Sequence, residues 1–292
     1  MKIGLQGIFA GQDATAQHMA KTAQLVEEAN FYSLWMPEHV LLFEDYDSPY
    51  PYSKDGKAPV DPHNGIVEPF TALSFLAGHT SRVRLGTGIT ILPQRNPVYF
   101  AKQAADVDVI SGGRLDIGIG VGWLAEEFAA LGVPFERRGA RAADYLKVCQ
   151  TLWCDDVSQY DGEFYTLPTC VQGPKPVQKP YPPLWFGGES TPALRRVARF
   201  GQGWYGVNLL PEDLPPHVEE LSKQLDKEGR KLADVDIAIA PYGKGCDLDM
   251  LKRYRDLGVD QVILFALTAE PGKLYDEIKR YGDEIVAPGA DI

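Results

Sequence analysis

The sequence predicts an α/β fold, a (β/α)8 TIM barrel forming one domain over residues 1–292, with a long loop after strand two and an insertion before strand five. Three observations carry that expectation. Short apolar runs alternate eight times with helix-patterned segments, the order that βαβ units give a parallel sheet. The runs are apolar on both alternating faces, as strands covered on two sides require, which favours a closed barrel over an open sheet. The 292 residues exceed one average domain yet suit a barrel of this type, which takes about 250.

Lys2–Phe9 opens the pattern as strand one. Met19, Ala23, Val26 and Asn30 then recur at helical spacing and predict a helix over Thr15–Ala29. Phe31–Met36 is strand two, stopped by Pro37, with Glu38-His39 beginning the following loop. Residues 42–68 turn rich in Pro, Tyr, Asp and Gly, a connection several times longer than usual, which reads either as a binding-site lid or as a surface excursion. Pro69–His79 is a helix and Val83–Leu92 strand three. A helix over Pro97–Ile110 follows, where Ser111-Gly112-Gly113 offers the left-handed backbone of a C-cap, and Leu115–Ile119 is strand four.

Ala142, Tyr145, Leu146, Cys149, Leu152 and Trp153 mark a helix ending near Cys154, and Gln159–Tyr165 a hairpin within the insertion. Leu184–Phe186 is strand five. Ser190 or Thr191 can cap the helix Ala193–Phe200, with Pro192 suited to its first turn. Strand six is Gly203–Val207, and Leu214, Val218, Leu221 and Leu225 face one side of the next helix. Val235–Ala240 is strand seven, Met250, Tyr254 and Leu257 a short helix, Gln261–Leu267 strand eight, and Leu274 to Ile285 the last helix.

A net charge of −11 argues against nucleic acid or an anionic membrane as partner, since both recruit basic surfaces, and leaves a small-molecule substrate. No apolar run approaches the roughly 18–20 residues that span a bilayer, and Met1-Lys2 leads straight into a strand, so the chain is expected in the cytoplasm. Cys149, Cys154, Cys170 and Cys246 show no paired or metal-ligand spacing; they are expected to be reduced and structural, and no metal site is expected.

In barrels of this kind the chemistry lies at the C-terminal ends of the strands. Four stretches fall there: Glu38-His39, Gly88-Ile89, Gly120-Val121-Gly122-Trp123 and Gly187-Gly188-Glu189-Ser190. The glycine pairs either bring backbone N–H groups onto a phosphate or ring edge, or serve tight turns only. The helix N-terminus at Ser190 is a second anion site or an ordinary capped turn. His39 is the candidate acid–base or substrate-orienting group, with Glu38 modulating its surroundings. His18, His79 and His217 read as surface positions, and His63 lies in the long loop.

The run from Thr80 to Trp123, continued by Glu126-Glu127-Phe128, Leu131-Gly132-Val133-Pro134 and Arg138, resembles the luciferase-like monooxygenase superfamily. Leu34-Trp35-Met36-Pro37-Glu38-His39 upstream, and Pro182–Gly188, Ala193–Arg196 and Gly203-Trp204 downstream, agree in chain order over about residues 1–210. The closest resemblance within it is to the coenzyme F420-dependent oxidoreductases. That resemblance implies an active-site role for His39, with Glu38 beside it, and a non-prolyl cis peptide at Gly88-Ile89 behind the middle ring of the cofactor. It implies cofactor contacts from Gly120 to Trp123 and from Gly187 to Ser190, and a homodimer.

Flavin-dependent members tend to carry an arginine where Val121 stands, so Gly-Val-Gly-Trp resembles the deazaflavin branch. Arg95, Arg137, Arg138, Arg141 and Lys175 are the candidates for its anionic tail. The implied reaction is hydride transfer between coenzyme F420 and a small organic substrate. The alternatives are an FMN-dependent monooxygenase or reductase, fed reduced flavin by a separate cofactor reductase, and a non-catalytic flavin-binding barrel. The spacing of Gly118, Gly120 and Gly122 is not that of a dinucleotide fingerprint.

Overall fold

Strands too short and too apolar to stand alone are paired here around a full circle in a computed structural model that describes residues 1–266, 268 and 270–292. The chain runs β1 (Lys2–Gln6), α1 (Ala16–Glu28), β2 (Ser33–Met36), α2 (Pro69–Ala77), β3 (Arg84–Thr87), β4 (Thr90–Ile91), α3 (Pro97–Ile110) and β5 (Leu115–Gly120). It continues through α4 (Ala125–Ala130), α5 (Arg138–Cys154), the hairpin β6 (Ser158–Asp161) and β7 (Thr166–Cys170), β8 (Leu184–Gly187), α6 (Thr191–Phe200) and β9 (Gly203–Val207). The last quarter holds α7 (Leu214–Lys227), β10 (Asp236–Ala240), α8 (Leu248–Asp256), β11 (Gln261–Phe265) and α9 (Pro271–Tyr281).

Parallel pairing runs β1–β2–β3–β5–β8–β9–β10–β11 and back to β1, which closes the eight-stranded barrel the sequence predicts. Most predicted elements differ from the observed ones only at their ends. The Leu267 end of the predicted strand eight lies outside the described residues. One difference is substantive: strand three is broken into β3 and β4, and the Gly88–Ile89 peptide between them is cis, as the family resemblance implies. No helix among the described residues is long and apolar enough to cross a membrane.

The main core lies between the sheet and the outer helices, and a smaller one fills the barrel. Inside, Trp35 and Trp185 meet edge to face at 5.7 Å, and Tyr205 stands 5.2 Å from Trp35. Neighbouring strands make room for these rings with glycine. A Cβ on Gly203 would lie inside the Trp185 ring, and one on Gly86 inside the Trp35 ring. Gly203→Ala is therefore expected to destabilise the fold by about 1–3 kcal/mol through overpacking. Urea unfolding checks this: the midpoint should fall with the slope unchanged, and an unmoved midpoint refutes the packing argument.

Two histidines depart from the surface placement read from the sequence. His18 is 4% exposed, its Nδ1 2.8 Å from the Tyr275 hydroxyl and its ring against Phe9, because α1 turns that side toward α9. His217 is half-buried beside Trp204, with Nδ1 3.2 Å from the Glu189 carbonyl. His79 is exposed, as expected. All four cysteines are free; Cys149 is buried and Cys170 and Cys246 pack half-buried against the main core, as expected, while Cys154 is exposed.

Candidate active site

A cavity of about 310 Å³ opens at the C-terminal ends of the strands. Glu38, His39, Gly88, Ile89, residues 120–123, Gly187, Gly188 and Ser190 all line it, so the four stretches read as one mouth from the sequence do share one. Ile89, after the cis peptide, lines the cavity. Its side chain passes so close to Gly120 and Gly187 that a Cβ on either would overlap it, so small residues are required on both neighbouring strands. Gln6 Nε2 donates to the Gly88 carbonyl at 3.1 Å, and the Tyr205 hydroxyl donates to Gln6 Oε1 at 2.8 Å, fixing the bulge from inside the barrel.

The carboxylate that touches His39 is not Glu38, as expected, but Glu127 on α4. Its Oε2 lies 3.3 Å from His39 Nδ1 and accepts from Gln94 Nε2 at 3.2 Å. Its Oε1 accepts the N–H groups of Val40 and Leu41 at 2.7 and 3.1 Å. Burial works to raise its pKa, but His39, the Leu41 N–H and Gln94 outweigh that and hold the carboxyl below the ordinary range. An ionised carboxylate only accepts, so Nδ1 carries the proton and Nε2 is left to exchange one with a ligand.

Glu38 turns away from that exchange. Its Oε2 accepts the Thr90 hydroxyl and the Ile91 N–H, both at 2.5 Å, and its Oε1 pairs with the Arg95 guanidinium. With 5% of the residue exposed and both oxygens engaged, Glu38 fixes β4 just after the bulge. It is a positioning residue. Arg95, a candidate for the anionic tail, is accordingly spent on Glu38 and Glu68.

Three more tail candidates are engaged elsewhere. Arg137 pairs with Glu163 at 2.6 Å, the Arg141 guanidinium donates to the Pro134 carbonyl at 2.6 Å, and Lys175 donates to the carbonyls of Leu152 and Asp155 at the C-terminal end of α5. Arg138 remains. It is half-buried, lies over the Phe135 ring at 3.8 Å and donates from Nε to the Gly122 carbonyl at 3.0 Å. Arg196 on α6 lines the cavity nearby, and burial together with the charge of Arg138 lowers its pKa. Neither guanidinium has a carboxylate at ion-pair distance among the described residues. Ser190 caps α6 in sequence but its hydroxyl makes no capping bond, and Pro192 has no N–H while that of Ala193 bonds the Ser190 carbonyl, so the Ser190 hydroxyl and the Thr191 N–H are the donors at this positive helix end. Two unneutralised cations beside a helix N-terminus suit a phosphate.

Glu189 was expected among the cofactor contacts, but its side chain does not line the cavity. It accepts the Val207 N–H at 2.7 Å and the Tyr52 hydroxyl at 3.3 Å, and burial pushes its carboxyl up. Tyr52 belongs to the long loop, which folds over the mouth. Tyr46 and Tyr50 pack edge to face on Trp123 at 5.5 and 5.1 Å, and Glu126 accepts the N–H groups of Asp47 and Ser48 at 2.7 and 3.1 Å. Of the two readings of this loop, the lid is the one observed; His63 within it stays exposed, 3.6 Å from Glu44.

Sequence reasoning passed over Glu127, Arg196, Gln6 and Tyr205. Glu127 and Arg196 stand in the quoted motifs, but only the fold shows which of two adjacent like residues, Glu126 or Glu127 and Arg195 or Arg196, faces the cavity. The family model for luciferase-like monooxygenases matches residues 5–242. An uncharacterized protein of Mycobacterium tuberculosis is 32% identical over 242 residues, covering 83% of this chain and 82% of its own length. The oxygenase component of a flavin-dependent trigonelline monooxygenase from Acinetobacter baylyi is 32% identical over 58% of this chain and 46% of its own. The solved coenzyme F420-dependent tetrahydromethanopterin reductase of Methanopyrus kandleri has the same fold, with a TM-score of 0.76 at 17% identity over 98% of both chains. The chain belongs to the luciferase-like monooxygenase family.

Proposed function

We propose that the chain is a coenzyme F420-dependent oxidoreductase transferring hydride between the deazaflavin and a small organic substrate. The observation that carries the reading is the division of labour around Val121. This apolar residue lines the cavity in the loop after β5, while the guanidiniums nearby are Arg196 on α6, which lines it, and Arg138 on α5, which donates to the Gly122 carbonyl. The residues present fit such a cofactor: two guanidiniums without carboxylates and the free Ser190 hydroxyl form an anion-binding donor set.

When bound, the deazaflavin supplies a two-electron hydride donor or acceptor. The chain's own residues do the rest. Arg138, Arg196 and Ser190 would hold the anionic tail, and Gly88 and Ile89 would contact the ring. His39 Nε2 gives a proton to a carbonyl oxygen being reduced, or takes one from an alcohol being oxidised, with Glu127 holding the imidazole. Trp123 and the lid tyrosines keep water out. FMN-dependent monooxygenation is the second reading, favoured by the likeness to the trigonelline enzyme.

Titrating the purified chain with each cofactor separates the two. Coenzyme F420 is expected to bind saturably with a change in its absorbance and fluorescence. Arg196→Gln should weaken that binding about 10–100-fold, the worth of one charge-assisted contact. Binding of FMN with no response to coenzyme F420 overturns the first reading.

A further inference from the structure

The cavity is divided by charge. Every Asp, Glu, Lys, Arg or His on its wall among the described residues, namely Glu38, His39, Glu127 and Arg196, comes from the loop after β2, from α4 or from α6. The opposite half is built from the ends of β1, β9, β10 and β11 and from the lid, and among the described residues no Asp, Glu, Lys, Arg or His lines it. Ile8, Val207, Ala240 and Phe265 form its floor, and Pro59 and Val60 lie in the lid above.

The polar atoms on this side are already paired. Tyr205 is bonded to Gln6 and Tyr52 to Glu189, and the Tyr50 hydroxyl donates to the Tyr242 hydroxyl at 3.4 Å. In that last pair the Tyr242 proton finds no acceptor among the described residues. Tyr242 is held at φ 52°, a backbone region that few non-glycine residues adopt, with its ring 4.7 Å from Phe265. An ionised group placed here would lose its hydration and meet no counter-charge.

We infer that the half of the cavity under the lid takes a small, uncharged, predominantly apolar substrate with one polar function, and that it excludes anions and cations. The inference rests on the proposed function only for which half the cofactor ring and tail occupy. The Tyr242 hydroxyl and His39 Nε2 are the two polar points such a substrate meets.

Isothermal titration of the cofactor-loaded chain with matched probes tests this: cyclohexanone and cyclohexanol, each against its 4-carboxylate and 4-trimethylammonium analogue. The uncharged members should bind at least about 100-fold more tightly than either charged partner. Val60→Arg alters a lid residue that is 40% exposed and so leaves the fold intact. It should restore binding of the carboxylates by about tenfold and leave the trimethylammonium probes excluded. Equal or tighter binding of a charged analogue to the unaltered chain overturns the inference, as does failure of every uncharged probe. The same titration on the cofactor-free chain keeps the two questions apart. A chain that binds neither cofactor yet still prefers the uncharged probes refutes the proposed function and upholds the substrate class.

Discussion

His39→Ala is expected to lower turnover of the cofactor-loaded enzyme by about 10²–10⁴-fold, the usual worth of one positioned acid–base group. Cofactor affinity should change little, because the proposed holders of the anionic tail are Arg138, Arg196 and Ser190 rather than the imidazole. The loss should therefore fall on kcat more than on cofactor binding. Glu127→Gln makes the complementary test. It keeps a hydrogen-bonding group against Nδ1 but removes the negative charge that fixes the tautomer, so it should cost about tenfold at neutral pH and shift the pH profile of kcat. Glu127's own titration does not intrude there. Its folded pKa is depressed, so its contribution to holding Val40 and Leu41 is complete above the ordinary carboxylate value, about 4.3, and is lost as pH falls through the lower folded value. Turnover of His39→Ala within threefold of the unaltered enzyme would remove the histidine from the chemistry; the estimate has no room for so small an effect.

The barrel was legible because its signal is repeated. Eight alternations of apolar run and helical pattern survive errors at any single boundary, and some helix starts carry local chemistry, such as Asn96 capping α3 through the N–H groups of Val98 and Tyr99. The ring of loops was legible for the same reason, since the fold places every strand end on one side. What the sequence did not disclose is which atom meets which. Glu38 adjoins His39 in the chain, yet at the end of a strand successive side chains face opposite ways, and the carboxylate sent toward the imidazole comes from Glu127, 88 residues further on. The candidate cations for an anionic tail were obscured similarly. Five basic residues near the loops looked alike by type, and only pairing partners distinguish Arg138 from Arg95, Arg137, Arg141 and Lys175.

Glu38→Ala should be the most destabilising change in the site, at about 3–5 kcal/mol, because it breaks a buried ion pair from one side. Arg95 has a side chain only 14% exposed and lies over the Phe70 ring at 5.0 Å; without Glu38 its one remaining carboxylate among the described residues is Glu68, itself 36% exposed, beside the neutral Gln103 side chain at 3.3 Å. The Thr90 hydroxyl and Ile91 N–H lose their acceptor at the same time. Against a whole-protein stability of about 5–15 kcal/mol, such a loss is large enough to move the unfolding midpoint by a clearly measurable amount. The pair itself need not be strongly stabilising, and the double variant Glu38→Ala/Arg95→Ala shows why. Removing both charges abolishes the stranded guanidinium, so the double variant should be more stable than the sum of the single losses by about 1–3 kcal/mol. Cofactor affinity should fall in Glu38→Ala as well, since Thr90 and Ile91 lose their acceptor and Ile91 lines the cavity. A stability within about 1 kcal/mol of the unaltered chain, with the two single losses simply adding, would mean that Arg95 finds water or another acceptor, and that Glu38 does not hold β4.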